Sequence, residues 1–195
     1  MIPCLENAVK KKDVAGAAEN ITGNRFRRCP MTDWLSRMVA LREADAPAMY
    51  ALMQDMFAHL PNPRWYYGST QQELAEQAKA GNAVGIWDGA RLVAMNILVP
   101  ARMAHHGGYA AQIGMDDPDS LNYEDVMVSN DYQRRGIQSA FLARARTLGY
   151  KTIYATVDPE NVPSLSSFEK AGYVRVAQKD IYDGRPRVFM RLDVK

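Results

Sequence analysis

The sequence predicts a mixed α/β fold, and three observations carry that prediction. Strand and helix signals follow the order strand, two helices, three strands, helix, strand, helix, two strands. A doubly wound fold would alternate strand and helix throughout, so the order points to a mixed sheet instead. Two dipeptides, Asp88-Gly89 and Asp183-Gly184, each lie between β-rich runs and mark hairpins, which pair neighbouring strands antiparallel. One strongly amphipathic stretch, 135–148, sits between two strand signals.

The individual elements follow from local chemistry. Residues 5–21 are alanine-rich and read as a weak helix ended by Gly23-Asn24, and 25–37 reads as a connector containing Pro30 and Trp34. Met38 to Arg42 reads as the first strand. Asp45 is placed to cap a helix through His59, with Met49, Leu52, Met53 and Met56 at helical spacing as core. Residues 60–68 form a loop with two prolines and the run Trp65-Tyr66-Tyr67. Thr70 and Glu73 have capping-box spacing and open a second helix that Gly81 stops. The runs 82–88 and 91–99 flank the first hairpin turn. A glycine-rich stretch (105–114) and an acidic turn (116–120) then lead to a strand over 122–128. In the helix 135–148, Ile137, Ala140, Phe141, Ala145 and Leu148 share one face, and Gly149 ends it. A strand over 151–157, a short helix over 163–171 ended by Gly172, and the runs 173–182 and 187–194 around the second hairpin turn complete the chain.

The chain has 195 residues, enough for one ordinary domain with an appendage. Its 47% hydrophobic and 24% charged residues are globular composition. A net charge of +2 is too small to argue for nucleic acid or an anionic membrane. Residues 1–37 hold seven bases and four acids, so the basic excess belongs to the front and the remainder is slightly acidic. The expected organisation is an N-terminal helical extension over 1–37, with Lys10-Lys11-Lys12 on a solvated helix face, and one globular domain over 38–195. Cys4 and Cys29 form neither a disulfide framework nor a metal-ligand spacing, and His105-His106 has no nearby cysteine, so no metal is expected. Lys10–Asp13 interrupts any apolar secretory core, and no apolar run approaches the ~20 residues of a membrane span. A cytoplasmic protein without membrane or nucleic-acid partners is the expectation, and a homodimer is compatible with it.

The chemistry lies in 126–140. A strand runs into a tight, basic turn, Gln133-Arg134-Arg135-Gly136-Ile137-Gln138, that opens the best helix. Such a turn presents backbone N–H groups at the positive end of a helix dipole, which suits phosphate. No Gly-Lys-Ser/Thr follows it and no G-x-G-x-x-G occurs, so the Walker and dinucleotide loops are both excluded. The turn resembles the Gln/Arg-x-x-Gly-x-Gly/Ala pyrophosphate signature of the GNAT superfamily of acetyl-CoA-dependent N-acetyltransferases, with Gln138 where the family prefers Gly or Ala. Downstream, Asn161 to Tyr173 is similar to the family's second signature: an Asn, a helix opening with small residues, an aromatic, then Lys-x-Gly-aromatic.

The resemblance implies the GNAT fold, a mixed and mostly antiparallel central sheet with splayed fourth and fifth strands and helices on both faces. It implies acetyl-CoA as co-substrate, its pantetheine pairing with backbone groups along Val126, Met127 and Val128. The pyrophosphate would lie on Gln133, Arg134, Arg135, Gly136, Ile137, Gln138 and Ser139, with Asn161, Ser164 and Phe168 against the pantetheine and sulfur. The reaction is then direct attack of a primary amine on the thioester, the acceptor being a small molecule or amino-acid-like compound. Its ammonium, titrating near ~10, must first lose a proton. Glu124 is the expected base, a strand-edge surface charge being the other reading, and the Val128 N–H is the expected oxyanion donor. Adjacent strand residues face opposite ways, so Glu124 and Asp125 are not expected to point into one site. Phe168 stands where many relatives carry Tyr, so the leaving thiolate takes its proton from Tyr123, Tyr173, Ser164 or water, or leaves unassisted.

Trp65, Tyr66 and Tyr67 either line the acceptor pocket or simply pack their loop on the sheet. Asp116, Asp117 and Asp119, with Glu124 and Asp125, either attract a cationic amine or form a solvated turn. Acetylation of a protein or peptide amine, and a catalytically silent CoA-binding regulatory domain, are the two rival functions. Phe168 and Gln138 keep the latter open.

Overall fold

A computed structural model describes residues 31–104 and 107–195. The expected N-terminal helix, the Lys10–Lys12 run, both cysteines and His105-His106 lie outside the described residues. Six helices and seven strands are assigned among those described. They are α1 (Met31–Ser36), β1 (Val39–Ala40), α2 (Ala46–Ala58), α3 (Gln71–Lys79), β2 (Ala83–Asp88), β3 (Arg91–Pro100), α4 (Gly108–Gln112), β4 (Leu121–Val128), α5 (Ile137–Ala145), β5 (Thr152–Val157), α6 (Val162–Lys170), β6 (Val174–Ile181) and β7 (Arg185–Asp193). The strands form one sheet in the order β1-β2-β3-β4-β5-β7-β6, antiparallel except where β4 meets β5. The mixed fold read from the sequence is therefore the fold observed.

Helices cover both faces. On one, Phe141 and Ala140 of α5, Leu165 and Phe168 of α6 and Trp34 of α1 pack with Ile86, Val93, Leu121 and Ile153. On the other, Met49, Leu52 and Met53 of α2 and Leu74 and Ala78 of α3 pack with Met95, Ile97 and Met127. Both hairpins form at the predicted dipeptides, and Gly89 and Gly184 take the positive φ that such turns require. The Thr70–Glu73 capping box is present in both directions, Glu73 N to Thr70 Oγ1 at 3.2 Å and Thr70 N to Glu73 Oε2 at 2.7 Å. Among the described residues, no helix is long and apolar enough to cross a membrane.

Several local expectations are corrected. Part of the presumed connector is helix α1, anchored by the burial of Trp34, which is 1% exposed. Of the first strand, only Val39 and Ala40 pair. The Asp45 side chain accepts from Arg42 N at 2.8 Å and closes a 3-10 turn over Glu43–Asp45, so it does not cap α2. Helix α5 ends at Ala145, and Leu148 lies in the following turn, 39% exposed. The glycine-rich stretch contains helix α4.

Two irregularities in β4 shape everything that follows. Its parallel pairing with β5 covers only Leu121–Tyr123 against Ile153–Ala155, after which the two strands part. On its other edge, Ile97 pairs with Asp125 but Leu98 pairs with Tyr123, so Glu124 is an extra residue, a β-bulge.

Candidate active site

The parting of β4 from β5 exposes backbone. Ser129 N donates to Val93 O at 2.9 Å, which aims Ser129 toward β3. In an antiparallel ladder, alternate residues direct N–H and C=O to the same side, so Met127 also addresses β3 while Val126 and Val128 address the cleft. The Met127 side chain is fully buried in the α2-facing core, so of the three residues expected along the pantetheine it does not face the cleft. Strand alternation places it on the other face.

Where β4 ends, a 3-10 turn (Asn130–Tyr132) leads to Gly136 at φ +86° and into α5. The first helical bond is Ala140 N to Gly136 O at 3.0 Å, and no side chain caps the helix. The N–H groups of Ile137, Gln138 and Ser139 therefore have no intrahelical acceptor, and they open toward a groove of about 490 Å³. Gln133, Arg134, Gly136, Ile137, Gln138, Ser139, Asn161 and Ser164 line this groove together with Val126 and Val128. Nothing lies within 4 Å of the position a Gly136 Cβ would take, and Gln138 Nε2 is buried without a partner. Both features suit a group that brings oxygen acceptors to the helix terminus. Arg135 is the exception among the residues expected around the pyrophosphate: its guanidinium stacks over Tyr132 at 4.8 Å, and its carbonyl accepts from Trp34 Nε1 at 2.8 Å. It braces the loop from behind and does not face the groove.

Beyond the groove, a cavity of about 110 Å³ lies in the gap between the parted strands, lined by Tyr123, Glu124, Val126, Thr156, Asn161, Ser164 and Phe168 among others. The Asn161 side chain accepts from Ser164 N at 3.2 Å, capping α6 and fixing both residues on the wall. Phe168 packs edge-on between Tyr123 and Tyr173, at 5.3 and 5.0 Å. Of the hydroxyls expected near the sulfur, Tyr123 and Ser164 belong to residues lining this cavity and Tyr173 does not.

A third cavity, of about 300 Å³, adjoins the second, sharing Trp65, Tyr66, Glu124 and Thr156 with it. Both Glu124 and Asp125 line it, contrary to the expectation from strand alternation, because the bulge at Glu124 turns two successive residues to one face. Burial, and then the neighbouring Asp125 charge, push the Glu124 carboxyl up to about 7. Asp125 is pushed up to about 6, chiefly by burial, with the Tyr66 hydroxyl bond opposing and the Glu73 charge adding. The Tyr66 hydroxyl donates to Asp125 Oδ1, and its own titration is raised well above the ordinary value by burial and by that carboxylate. Only Glu124 of the two faces both the second and third cavities.

The Trp65–Tyr67 loop does reach the site, and its placement has a structural cause that sequence reading missed. Arg185 Nη1 donates to Tyr66 O at 2.8 Å, and its guanidinium sits 5.3 Å from the Tyr67 ring centre. Arg187 Nη2 donates to Arg64 O at 3.0 Å, while its Nη1 pairs with buried Asp158 at 2.9 Å. Tyr67 also stacks on Tyr182 at 4.8 Å. The β6–β7 hairpin thus ties the aromatic loop down. It also supplies Tyr182, whose hydroxyl lies 3.2 Å from that of Tyr109 on the same cavity wall. Asp116, Asp117 and Asp119 are not on this wall. Asp117 accepts from Thr152 Oγ1 at 2.6 Å, Asp119 pairs with Arg102 at 2.7 Å, and Asp116 is exposed. The acidic turn is structural.

Residues 46–173 match the acetyltransferase (GNAT) family. The chain belongs to the GNAT acetyltransferase family. A GNAT assignment explains the parted strands and uncapped helix together, and acyl transfer is the family's chemistry. No curated protein matches the chain significantly. Solved structures show the GNAT fold at low identity. The ribosomal-protein-S18-alanine N-acetyltransferase from Escherichia coli superimposes with a TM-score of 0.58 at 17% identity, covering 80% of this chain and 92% of its own. A GNAT acetyltransferase from Streptococcus agalactiae 2603 gives 0.63 at 14% identity, covering 81% and 94%. For yncA from Salmonella typhimurium, solved with its cofactor acetyl-CoA, the values are 0.57 and 15%, with 81% and 93% covered.

Proposed function

We propose that this GNAT protein transfers an acetyl group from acetyl-CoA to a primary amine of a small molecule by direct attack. The observation that carries the reading is Glu124, a carboxyl raised to about 7 that lines both the gap between the parted strands and the adjoining acceptor cavity. Acetyl-CoA supplies the activated acetyl thioester. The chain's own residues do the rest. The N–H groups of Ile137, Gln138 and Ser139, with Gly136 leaving the approach open, hold phosphate oxygens at the α5 terminus. Val126 and Val128 offer cleft-facing backbone groups that extend the sheet by ligand. The Val128 N–H stabilises negative charge on the acetyl oxygen.

Glu124 receives the proton that the ammonium must lose, and a carboxylate titrating near neutrality is matched to that task. Asp125, bonded to Tyr66, is the less suitable base because it does not line the cavity in the gap. With Phe168 unable to donate a proton, Ser164 is the hydroxyl we assign to protonate or solvate the leaving thiolate, since the Tyr123 hydroxyl is buried toward Tyr173 and Arg144.

The reading is tested by incubating the protein with acetyl-CoA and primary amines while following thiol release, with mass spectrometry of the products. Acetylated amine and free thiol in equal amounts are expected, and Glu124→Gln is expected to bind acetyl-CoA yet turn over slowly. Thermal stabilisation by acetyl-CoA with no acetyl transfer to any amine would replace this reading with that of a silent CoA-binding domain.

A further inference from the structure

The acceptor cavity is lined by four carboxylates from two separate elements. Glu124 and Asp125 come from β4, and Glu73 and Glu76, three positions apart on α3, come from the helix above. The sets share one field, since the Glu73 charge reaches Asp125. Among the described residues, no lysine, arginine or histidine forms an ion pair with any of the four. Their hydrogen bonds come from neutral donors: Thr70 to Glu73, Gln72 to Glu76 and Tyr66 to Asp125. Neutral donors orient a carboxylate without cancelling its charge. Arg187 also lines the cavity, but its charge is balanced by Asp158, and two carbonyls, Pro186 O and Arg64 O, take its remaining bonds.

The rest of the wall is aromatic. Trp65, Tyr66 and Tyr109 present aromatic surface that suits ammonium groups and the methylenes between them, while Tyr67 and Tyr182 stack on each other beside Arg185 and Arg187. A second, independent feature points to a ligand. Asn122, 0% exposed and on this wall, accepts from Tyr109 N at 3.1 Å through Oδ1, while its Nδ2 has no partner. An unpartnered N–H donor calls for an acceptor atom on a polar ligand, while the cationic ends of that ligand are read from the four carboxylates.

We propose that the acceptor is a small dication, whose reacting primary amine lies beside Glu124 and Asp125 and whose second cationic nitrogen is held by Glu73 and Glu76. This rests on the acetyl-transfer reading of the same cavity. Acetylation consumes one positive charge, since the amine becomes a neutral amide and its proton leaves through Glu124. The second charge is untouched and serves only recognition, so substrate and monoacetylated product differ by one ammonium at the catalytic end. A monoamine leaves the α3 carboxylates uncompensated, and an amino acid of equal length brings a carboxylate against them.

The test uses three probes with the same four-carbon chain: 1,4-diaminobutane, butylamine and 4-aminobutyrate. Thiol release from acetyl-CoA gives kcat/KM for each, and calorimetry gives binding of 1,4-diaminobutane without acetyl-CoA. A preference of at least tenfold for the diamine over butylamine is expected, with 4-aminobutyrate poorest. In Glu73→Gln/Glu76→Gln that preference should fall toward unity and diamine binding weaken at least tenfold. Diamine binding should also release protons, seen as a heat that differs between two buffers, because a nearby ammonium drives Glu124 and Asp125 to ionise. Turnover of butylamine as fast as the diamine, or a preference unchanged in the double variant, overturns the inference while leaving acetyl transfer intact. A failure of acetyl-CoA to bind, or of every amine to react, removes the reading beneath it, and calorimetry with the diamine still decides whether the cavity prefers dications.

Discussion

The groove proposed for the cofactor and the cavity proposed for the acceptor lie side by side, yet they are built on opposite principles. The groove works through backbone: three uncapped N–H groups at a helix start, two strand residues with no strand paired on their β5 side, and a glycine whose missing Cβ keeps the approach open. The acceptor cavity works through side chains delivered by α3, α4, β4, β5, the Trp65–Tyr67 loop and the β6–β7 hairpin. The first can therefore bind the same ligand under wide changes of sequence. The second is rewritten whenever one of those elements changes.

Breaking the two regions should separate the two kinds of failure. Glu124→Gln carries the largest expected effect, a fall in kcat of roughly 10²–10⁴-fold with acetyl-CoA affinity retained. In the wild type, kcat/KM should rise with pH through a midpoint near 7, because Glu124 must be ionised to act. Glu124 and Asp125 interact, so the limb belongs to the pair. The variant should lose that limb, and a wild-type rate that is flat from pH 5 to 9 would remove Glu124 from the chemistry.

On the backbone side, Gly136→Glu should cost about 100-fold in acetyl-CoA affinity by calorimetry. It forces a side chain into φ +86° and sets a negative charge where the proposed phosphate would lie. An unchanged affinity in a folded variant would show that the α5 terminus does not hold the cofactor.

A smaller effect appears in stability. Folding raises the Glu124 carboxyl from its ordinary 4.5 to about 7, so the folded state binds the proton more tightly. That contribution is present below pH 4.5 and is lost as pH rises through 7. Glu124→Gln should accordingly be about 1–3 kcal/mol more stable than wild type at pH 8 and about equal at pH 4. Urea unfolding at the two pH values checks the sign. Smallest of all, Tyr66→Phe removes the bond that opposes the rise of Asp125 and should move the lower step of the pair upward, with kcat changing only a few-fold.

The same contrast explains what the sequence disclosed. Gly136, the basic turn and the helix after it are contiguous, so their geometry is written in one short stretch, as are the Thr70–Glu73 box and the two Asp-Gly hairpins. The acceptor cavity joins residues from Trp65 to Arg187, and no local pattern announces that Tyr109, Asn122, Thr156 and Tyr182 share a wall with Glu73. The bulge at Glu124 is similarly silent, since it is set by the register of β4 against β3 and it reverses the alternation rule at the position that matters. Helix α1 is too short, at six residues, to show periodicity, and the tertiary burial of Trp34 accounts for its order.

The Trp34 indole joins sequence positions 101 residues apart through its bond to the Arg135 carbonyl. That carbonyl belongs to the residue just before Gly136, so the contact fixes the tilt of the peptide that opens the phosphate-facing terminus. A chain trimmed to begin at Met38 would keep every strand and every residue lining the groove and still lose this strut. Its expected defect is twofold: stability falls because a buried core side chain is removed, and the KM for acetyl-CoA rises by roughly the 2–10-fold that one buried hydrogen bond is worth. Trp34→Phe, which keeps an aromatic ring in the core but deletes the N–H, should reproduce the rise in KM in the full chain with a smaller loss of stability.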